Sequence, residues 1–212
     1  KGWHVIGTYR SDRAALKSLR DKGAELHQCD FQNSGSVDAF IDRVKADYPK
    51  LRAIIHNASD WVSEGGDTSN EQVFDRMMTV HTKVPYLINL ALKDALSANG
   101  EDLGDIIHVT DYVAQSGSKK HLAYAASKAA LESLTLSFAA AYAPDVKVNS
   151  IAPALLKFNE HDDDAYKAKA LKKAALPWEG SFEAAIEAAE YLISSRYVTG
   201  RIMHLDGGRH LK

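Results

Sequence analysis

The feature that most constrains this chain is the strict alternation of strand-like and helix-like segments along its length. Short apolar runs predict strands, and stretches with apolar residues three or four positions apart predict helices. A β-α-β-α order favours an α/β fold with a doubly wound parallel sheet and helices on both faces. Strands are predicted at residues 4–9, 25–30, 51–56, 105–110, 147–151 and 201–205, and helices at 12–22, 36–48, 70–98 (with Pro85 marking a kink or a helix start), 123–142 and 183–195.

Composition narrows the class of protein. The 212 residues are 45% hydrophobic and 25% charged, which predicts a single globular domain over residues 1–212. The formal net charge is −2 with scattered Lys and Arg, which gives no electrostatic case for nucleic acid or anionic membrane. No apolar run reaches the about 18 residues that span a bilayer. Cys29 is the single cysteine, so we expect no internal disulfide and a cytoplasmic location.

The ends of the first two strands carry candidate nucleotide contacts, because ligands of open parallel sheets bind beyond the carboxyl ends of the strands. Arg10 and Ser11 follow the first strand without an acidic residue, which favours the 2′-phosphate of NADPH over the 2′-hydroxyl of NAD. The alternative for Arg10 is a solvated turn residue. Asp30 and Phe31 follow the second strand, where they either line an adenine pocket or form an ordinary turn or helix cap.

The third strand ends in Asn57-Ala58-Ser59. Asn and Ser tolerate the irregular backbone of a strand exit, and the small Ala58 allows a flat ligand to approach. Trp61 follows closely and either offers its face to an aromatic ligand or is a partly buried core residue.

The helix after the fourth strand carries the pair with the clearest chemistry, Tyr124 and Lys128. They lie four residues apart and therefore share one helix face. A tyrosine has a reference pKa of about 10, and a nearby ammonium group lowers it. The pair is then a proton donor adjusted toward neutral pH.

These residues together resemble the short-chain dehydrogenase/reductase family over nearly the whole chain, which implies a Rossmann-like fold. In that family the tyrosine is the proton donor, and the lysine contacts the nicotinamide ribose and lowers the tyrosine pKa. The resemblance implies NADPH as cofactor and a homotetramer as the assembly. The matching segments are Asn57-Ala58-Ser59, Tyr124 to Lys128, Asn149 to Pro153, Val198-Thr199-Gly200 and Asp206-Gly207-Gly208.

One departure from the family pattern concerns the substrate. Thirteen residues before Tyr124, where the family usually has a serine, this chain has Asp111. An aspartate at this place resembles the pteridine reductases of the family, in which an aromatic residue after the Asn-Ala-Ser segment stacks the pterin against the nicotinamide. Trp61 occupies that place. Residues 56–61, 105–112, 121–128 and 158–163 support the same resemblance.

Two other departures concern the proton path and the cofactor site. His81 stands where the family commonly has an asparagine that helps relay protons, so it is either a relay or a structural helix residue. The Gly-rich turn with which the family begins is missing from the sequence, although its strand should lie at the centre of the sheet. We expect that this strand and turn precede Lys1 in the natural protein.

The resemblance implies reduction of a 7,8-dihydropterin such as dihydromonapterin to the tetrahydro form, with dihydrofolate as a second substrate. Hydride would pass from C4 of NADPH to C6 of the pterin, and a proton would reach N5. Asp111 would bind the pterin edge as a carboxylate or donate to a ring nitrogen as an acid. Ser59 would reach a phosphate or the pterin. The alternatives are a reductase of another carbonyl or imine and an NADPH-binding protein without catalysis.

The acidic run at residues 161–164 is a candidate metal site only superficially. Consecutive helical residues cannot all converge on one ion, and acids are expected at a helix start because of the helix dipole. We therefore predict no metal there. The family resemblance makes residues 158–164 a substrate loop.

Overall fold

The computed structural model describes residues 2–99 and 102–212, and within these ranges the strands form two parallel sheets. The strands are β1 Ile6–Tyr9, β2 Glu25–Gln28, β3 Ala53–His56, β4 Gly104–Val109, β5 Val146–Pro153 and β6 Ile202–Leu205. The helices are α1 Ala14–Asp21, α2 Ser34–Asp47, α3 Asn70–Met78, α4 Val84–Ala91, α5 Lys93–Ser97, α6 Val113–Ser116, α7 Leu122–Tyr142, α8 Asp164–Leu171 and α9 Phe182–Ser194, with a π-helical turn at Thr79–Lys83 and a 3-10 turn at Arg209–Leu211.

The chain divides into two compact units, residues 1–49 and 50–212. In the first unit β1 pairs with β2 in parallel, so that Tyr9 lies opposite Gln28. Cys29 follows β2 and is buried, as are the inward residues of α2. This cysteine is therefore a small core residue, as its place beside a strand predicts. The single domain over 1–212 stays a prediction.

The second unit contains a four-stranded parallel sheet in the order β3-β4-β5-β6. Successive residues of a strand point to opposite faces, and both faces are covered here. Ile106 packs in a buried cluster with Phe138 of α7, whereas its neighbour Ile107 packs with Leu192 of α9. The predicted parallel sheet with helices on both faces is thereby confirmed.

The stretch 70–98, predicted as mostly helical with a kink or helix start at Pro85, is divided into several helices. Ser69 caps α3 through the amide of Gln72, and the π-helical turn separates α3 from α4. Pro85 lies in the first turn of α4, where its missing N–H costs no hydrogen bond. The prediction that Pro85 marks a kink or helix start is confirmed. None of the described helices is long and apolar enough to cross a membrane.

A buried, directional chain of hydrogen bonds joins β3, α4, β4 and α7. His56 Nε2 lies 2.7 Å from Asn89 Oδ1, and Asn89 Nδ2 lies 3.1 Å from His108 Nε2. His108 Nδ1 lies 2.8 Å from Thr135 Oγ1, which itself donates to a backbone carbonyl. Burial lowers the pKa of His56 to about 4 and that of His108 well below its ordinary value. The chain of hydrogen bonds is therefore uncharged at neutral pH.

Candidate active site

The second unit brings the predicted catalytic residues together at the carboxyl edge of its sheet. Asn57, Ala58 and Ser59 directly follow β3, and Asp111 lies two residues beyond β4. Pro153 is the last residue of β5 and accepts a backbone hydrogen bond from Tyr112. These positions are those that the sequence predicts, because parallel strands all end at the same edge of a sheet.

Tyr124 and Asp111 are direct hydrogen-bond partners. The Tyr124 hydroxyl donates to Oδ2 of Asp111 at 2.9 Å, while Oδ1 accepts from the amide of Val113 at 2.9 Å. Both carboxyl oxygens of Asp111 thus act as acceptors, which is the pattern of an ionised carboxylate. Tyr124 is buried, with 7% of its surface exposed, whereas Asp111 is half-buried.

The pKa of Tyr124 is raised above its ordinary value. Burial is the largest cause, followed by the charge of Asp111 and the hydrogen bond to it, whereas a hydrogen bond with Ser59 lowers the pKa. This direction is opposite to the shift expected from Lys128 alone. The physical reason is that the buried hydroxyl is desolvated and that its hydrogen-bond partner at 2.9 Å is a carboxylate. The hydroxyl of Tyr124 is therefore protonated at neutral pH and is able to act as a proton donor.

Lys128 lies one helical turn beyond Tyr124 and is 3% exposed. Its ammonium donates to the carbonyl of Val109 at 2.9 Å and lies 5.7 Å from the centroid of the Tyr124 ring. Burial lowers the pKa of Lys128 to about 8, against the charge of Asp111, which raises it. An ammonium has three N–H donors, so its hydrogen bond to Val109 leaves capacity for a ligand.

His81 lies in the π-helical turn and contacts Tyr124 edge to face, with the ring centroids 5.3 Å apart. Its Nε2 accepts from the amide of Asp60 at 3.0 Å and lies 3.1 Å from Ser59 Oγ. Its Nδ1 lies 2.8 Å from Ser127 Oγ. His81 is therefore a satisfied buried histidine, as one of the two alternatives from the sequence has it, and its ring also contacts Tyr124.

Trp61 lies over the rim of the site and is 59% exposed. Its ring meets Tyr124 edge to face at 4.7 Å between centroids, and its other neighbour is His121, at 3.9 Å. This position excludes the alternative of a core tryptophan. An exposed aromatic face beside Tyr124, the predicted catalytic tyrosine, is suited to a flat heterocycle.

Glu64 is a site residue that the sequence analysis missed. Its Oε1 accepts from the amide of Ala123 at 2.7 Å, so it caps the helix that carries Tyr124. Burial raises the pKa of Glu64, but hydrogen bonds from backbone amides, Ala123 first, outweigh it, and the net pKa is lowered. Glu64 fixes the segment after β3 to the start of α7. No local motif reveals it, since the cap comes from a distant part of the chain.

His121 was missed as well. It precedes α7 and packs against Trp61, and among the described residues its buried Nδ1 has no hydrogen-bond partner. Its position three residues before Tyr124 places it on the same side of the helix start, a spacing that could have drawn attention to it.

The predicted adenosine contacts lie in the first unit, at the carboxyl ends of β1 and β2. Arg10 and Ser11 follow β1, and the carbonyl of Arg10 accepts from Gln28 at 3.2 Å. Asp30 Oδ1 accepts from the amide of Gln32 at 3.0 Å, so the turn alternative for Asp30 holds in the structure. Phe31 lies in the same turn. The two strand ends adjoin, as a shared nucleotide-binding edge requires.

Residues 158–163 form a loop that leads into α8, which begins at Asp164. Asp163 caps this helix through the amide of Tyr166 at 2.7 Å, and Asp164 lies in its first turn. The helix-start interpretation of this acidic run is confirmed. Among the described residues, no group of three or more His, Cys, Asp or Glu side chains is arranged to hold a metal ion.

Comparison with known proteins gives relatives over almost the whole chain. The model of a family described as enoyl-(acyl carrier protein) reductase matches residues 1–210. Dihydromonapterin reductase from Klebsiella pneumoniae is 48% identical over 208 residues, covering 98% of this chain and 87% of the relative. Dihydromonapterin reductase from Escherichia coli (strain SMS-3-5) is 48% identical over 217 residues, covering 99% of this chain and 90% of the relative.

Solved structures share the fold. FolM alternative dihydrofolate reductase 1 from Brucella canis, complexed with NADP, has a TM-score of 0.84 at 24% identity and covers 100% of this chain and 85% of its own. A short-chain type dehydrogenase/reductase from Mycobacterium ulcerans has a TM-score of 0.85 at 20% identity, covering 99% and 81%. At these identities the likeness concerns the fold.

Proposed function

We propose that this chain, a member of the short-chain dehydrogenase/reductase family, is an NADPH-dependent reductase of 7,8-dihydropterins. Its first substrate in this proposal is dihydromonapterin, and its second is dihydrofolate. The observation that carries the proposal is the hydrogen bond from Tyr124 to Asp111 at 2.9 Å. A carboxylate at this position suits a nitrogen heterocycle with N–H donors better than a simple carbonyl.

Tyr124 is the proton donor in this proposal. Its raised pKa keeps the hydroxyl protonated, so it reaches the reaction with the proton that N5 of the dihydropterin requires. The O–H bond of Tyr124 breaks, the N5–H bond forms, and the electron pair stays on the tyrosine oxygen. Asp111, as an ionised carboxylate, accepts hydrogen bonds from the amidine-like edge of the pterin and orients the ring.

The residues of the second unit fit a nicotinamide nucleotide by their chemistry. Lys128 offers buried N–H donors for the ribose hydroxyls, and Asn57, Ala58 and Pro153 line the sheet edge around it. NADPH, when bound, supplies the hydride that reaches C6 of the pterin. Ser59 lies between this edge and Tyr124, where it interacts with the tyrosine hydroxyl.

Selection of NADPH over NADH belongs to the first unit in this proposal. Arg10 and Ser11 bind the 2′-phosphate, and the turn of Asp30 and Phe31 borders the adenine. The support is their common position at the carboxyl ends of two adjoining strands. Trp61 stacks the pterin, since its ring is exposed beside Tyr124.

The assembly and location are further parts of the proposal. We infer a homotetramer that acts in the cytoplasm on a small-molecule substrate. Exposed apolar side chains on α4 and α7, Leu90 at 48% and Leu136 at 50% exposure, support packing between copies through these helices. Light scattering on the purified protein tests the assembly, and a monomer at micromolar concentration would contradict it.

The experiment that tests the function is a substrate comparison. The purified protein is mixed with NADPH and either 7,8-dihydromonapterin, dihydrofolate or a simple ketone, and the loss of NADPH absorbance is followed; NADH replaces NADPH in a matched series. We expect fast turnover of dihydromonapterin, slower turnover of dihydrofolate and none of the ketone. Preference for the ketone, or no oxidation with either pterin, would contradict the proposal.

A further inference from the structure

The hydrogen-bond network around His81 has only one consistent direction. A backbone amide can only donate, so the amide of Asp60 fixes His81 Nε2 as an acceptor. The proton of the neutral ring then lies on Nδ1 and is donated to Ser127 Oγ at 2.8 Å. The Ser127 hydroxyl passes its own proton to the carbonyl of Tyr124, also at 2.8 Å. Every polar atom of the His81 ring is thus satisfied without Ser59.

The hydroxyl of Ser59 lies beside this network, and no acceptor in the network depends on its proton. Its Oγ lies 3.1 Å from His81 Nε2, whose lone pair already accepts from Asp60. The same hydroxyl is within reach of the Tyr124 oxygen, because an interaction between the two side chains lowers the tyrosine pKa, and the Tyr124 ring itself contacts His81 at 5.3 Å between centroids. The single Ser59 proton can therefore turn from His81 to Tyr124 without leaving a buried acceptor unpaired.

A donor at this place is needed when Tyr124 gives up its proton. The remaining phenolate would face the carboxylate of Asp111, its present partner at 2.9 Å, in a buried site. Two anions at that distance repel each other strongly in a medium of low dielectric constant. Lys128 lies 5.7 Å from the centroid of the Tyr124 ring, and the hydroxyl of Ser59 offers a further donor to the tyrosine oxygen.

His81 does not serve as the proton carrier. Burial is the main cause that lowers its pKa to about 3; the charge of Lys128 lowers it further, and the charge of Asp60 opposes this. Asp60 is itself paired with Arg76 at 2.6 Å. At neutral pH the ring is uncharged, and its one lone pair is occupied by an amide.

We propose that His81 is a positioning residue and does not relay protons. It holds the hydroxyl of Ser59 where that hydroxyl can donate a hydrogen bond to the phenolate of Tyr124. This rests on the proposed function in which Tyr124 is the proton donor. Only the Tyr124 O–H bond breaks in the step. Ser59 keeps its proton and rotates its hydroxyl from His81 toward the tyrosine oxygen, while the amide of Asp60 stays on Nε2.

The first test is independent of activity. The full chain is labelled with 15N-histidine, and the His81 signals are assigned by their loss in His81→Gln. We expect a neutral ring protonated at Nδ1 throughout pH 6 to 8, both in the wild type and in Ser59→Ala. A ring protonated at Nε2, or a titration within this window, would overturn the proposal whether or not the protein reduces pterins.

The second test uses turnover and a matched pair of variants. The Gln side chain of His81→Gln offers an acceptor oxygen to Asp60 and Ser59, whereas His81→Leu has similar bulk and no acceptor. We expect His81→Leu and Ser59→Ala each to lower kcat by about 10- to 100-fold, which corresponds to the loss of one hydrogen bond to a charged group. His81→Gln should keep most of the wild-type kcat. KM for NADPH should stay unchanged, and the solvent isotope effect on kcat should rise.

The double variant separates positioning from a structural role. If His81 acts through Ser59, the combination of His81→Leu with Ser59→Ala should be no slower than Ser59→Ala alone. Losses that multiply, or an unaltered solvent isotope effect in Ser59→Ala, would overturn the proposal. If His81→Leu does not fold, Ser59→Ala and His81→Gln decide the question. Failure of the wild type to reduce dihydropterins would instead contradict the proposed function.

Discussion

The hydroxyl of Tyr124 donates a hydrogen bond of 2.9 Å to Oδ2 of Asp111, and this contact makes the tyrosine a buried, fully protonated acid beside a carboxylate. The same carboxylate opposes the effect of burial on Lys128, whose pKa is lowered to about 8 with both effects together. The charge of Asp111 therefore influences the pKa of both Tyr124 and Lys128.

Removal of the Asp111 charge should shift the titration of Lys128. Lys128 is cationic below its pKa, so NADPH binding through it should weaken as the pH rises through about 8. In Asp111→Asn the supporting charge is gone, and the weakening should begin at lower pH. NADPH affinity from nucleotide fluorescence across pH 6 to 10 measures this, with Lys128→Met as a pH-independent control. An unchanged midpoint in Asp111→Asn would contradict the coupling.

Trp61 should report pterin binding directly. Its ring is 59% exposed and lies 4.7 Å from Tyr124 between centroids, so a stacked pterin should quench its fluorescence. Trp61→Ala should raise KM for the pterin by about 3- to 10-fold, the worth of one aromatic contact, with little change in KM for NADPH. Trp178, 60% exposed, gives the matched control: quenching should persist in Trp178→Phe and disappear in Trp61→Phe. Quenching that survives in Trp61→Phe would exclude the stacking role.

Glu64 should matter for both stability and substrate binding. Its carboxylate caps α7 at the amide of Ala123 and holds the segment of Ser59 and Trp61 against that helix. Glu64→Ala should lower the free energy of unfolding by about 1 kcal/mol, the usual cost of a lost helix cap, and raise KM for the pterin. Glu64→Gln keeps an acceptor oxygen and should lose less. Urea unfolding and steady-state kinetics measure both effects; equal losses in the two variants would argue against the cap.

The order of elements and the catalytic cluster could be predicted from the sequence because both depend on local patterns. Alternating apolar runs place the strands within one or two residues of those observed. The spacing of Tyr124 and Lys128 puts both on one helix face, and the end of β4 brings Asp111 to them. Strand ends in a parallel sheet share one edge, so these residues meet without any long-range information.

Other features depend on contacts between distant parts of the chain and were not predicted. The cap from Glu64 to Ala123 has no local motif, and the direction of the His81 hydrogen bonds depends on the amide of Asp60. The rise in the pKa of Tyr124 was not predicted because burial and the Asp111 contact appear only in the folded chain. The short helix α6 was missed because one turn carries too little periodicity.

Acid should unfold the protein through its buried histidines. Burial lowers the pKa of His56 to about 4 and of His81 to about 3, and His108 is lowered as well, against an unfolded value of 6.5. A histidine whose pKa is lowered in the folded state contributes stability above pH 6.5, and this contribution is lost as the pH falls toward 4. Three such groups give a slope of about 4 kcal/mol per pH unit between roughly pH 6 and 4.

The slope can be assigned by single variants. His56→Gln removes one of the three titrating groups, so its slope should be smaller by about 1.4 kcal/mol per pH unit. His204→Gln replaces an exposed histidine of β6 and is the control for a substitution outside the buried set. Urea unfolding at several pH values measures the free energy in each case. A wild-type slope equal to that of His56→Gln would contradict the assignment.

We propose that Tyr124 and Asp111 together give this chain its activity on dihydropterins. The most direct measurement is the rate of NADPH oxidation with 7,8-dihydromonapterin in the wild type, Tyr124→Phe and Asp111→Ser, with NADPH affinity measured alongside. We predict that both variants bind NADPH, and that Tyr124→Phe loses about 10²- to 10⁴-fold in kcat, as expected for a general acid. We predict a loss of comparable size on the pterin for Asp111→Ser. Normal turnover of dihydromonapterin by either variant would contradict the claim.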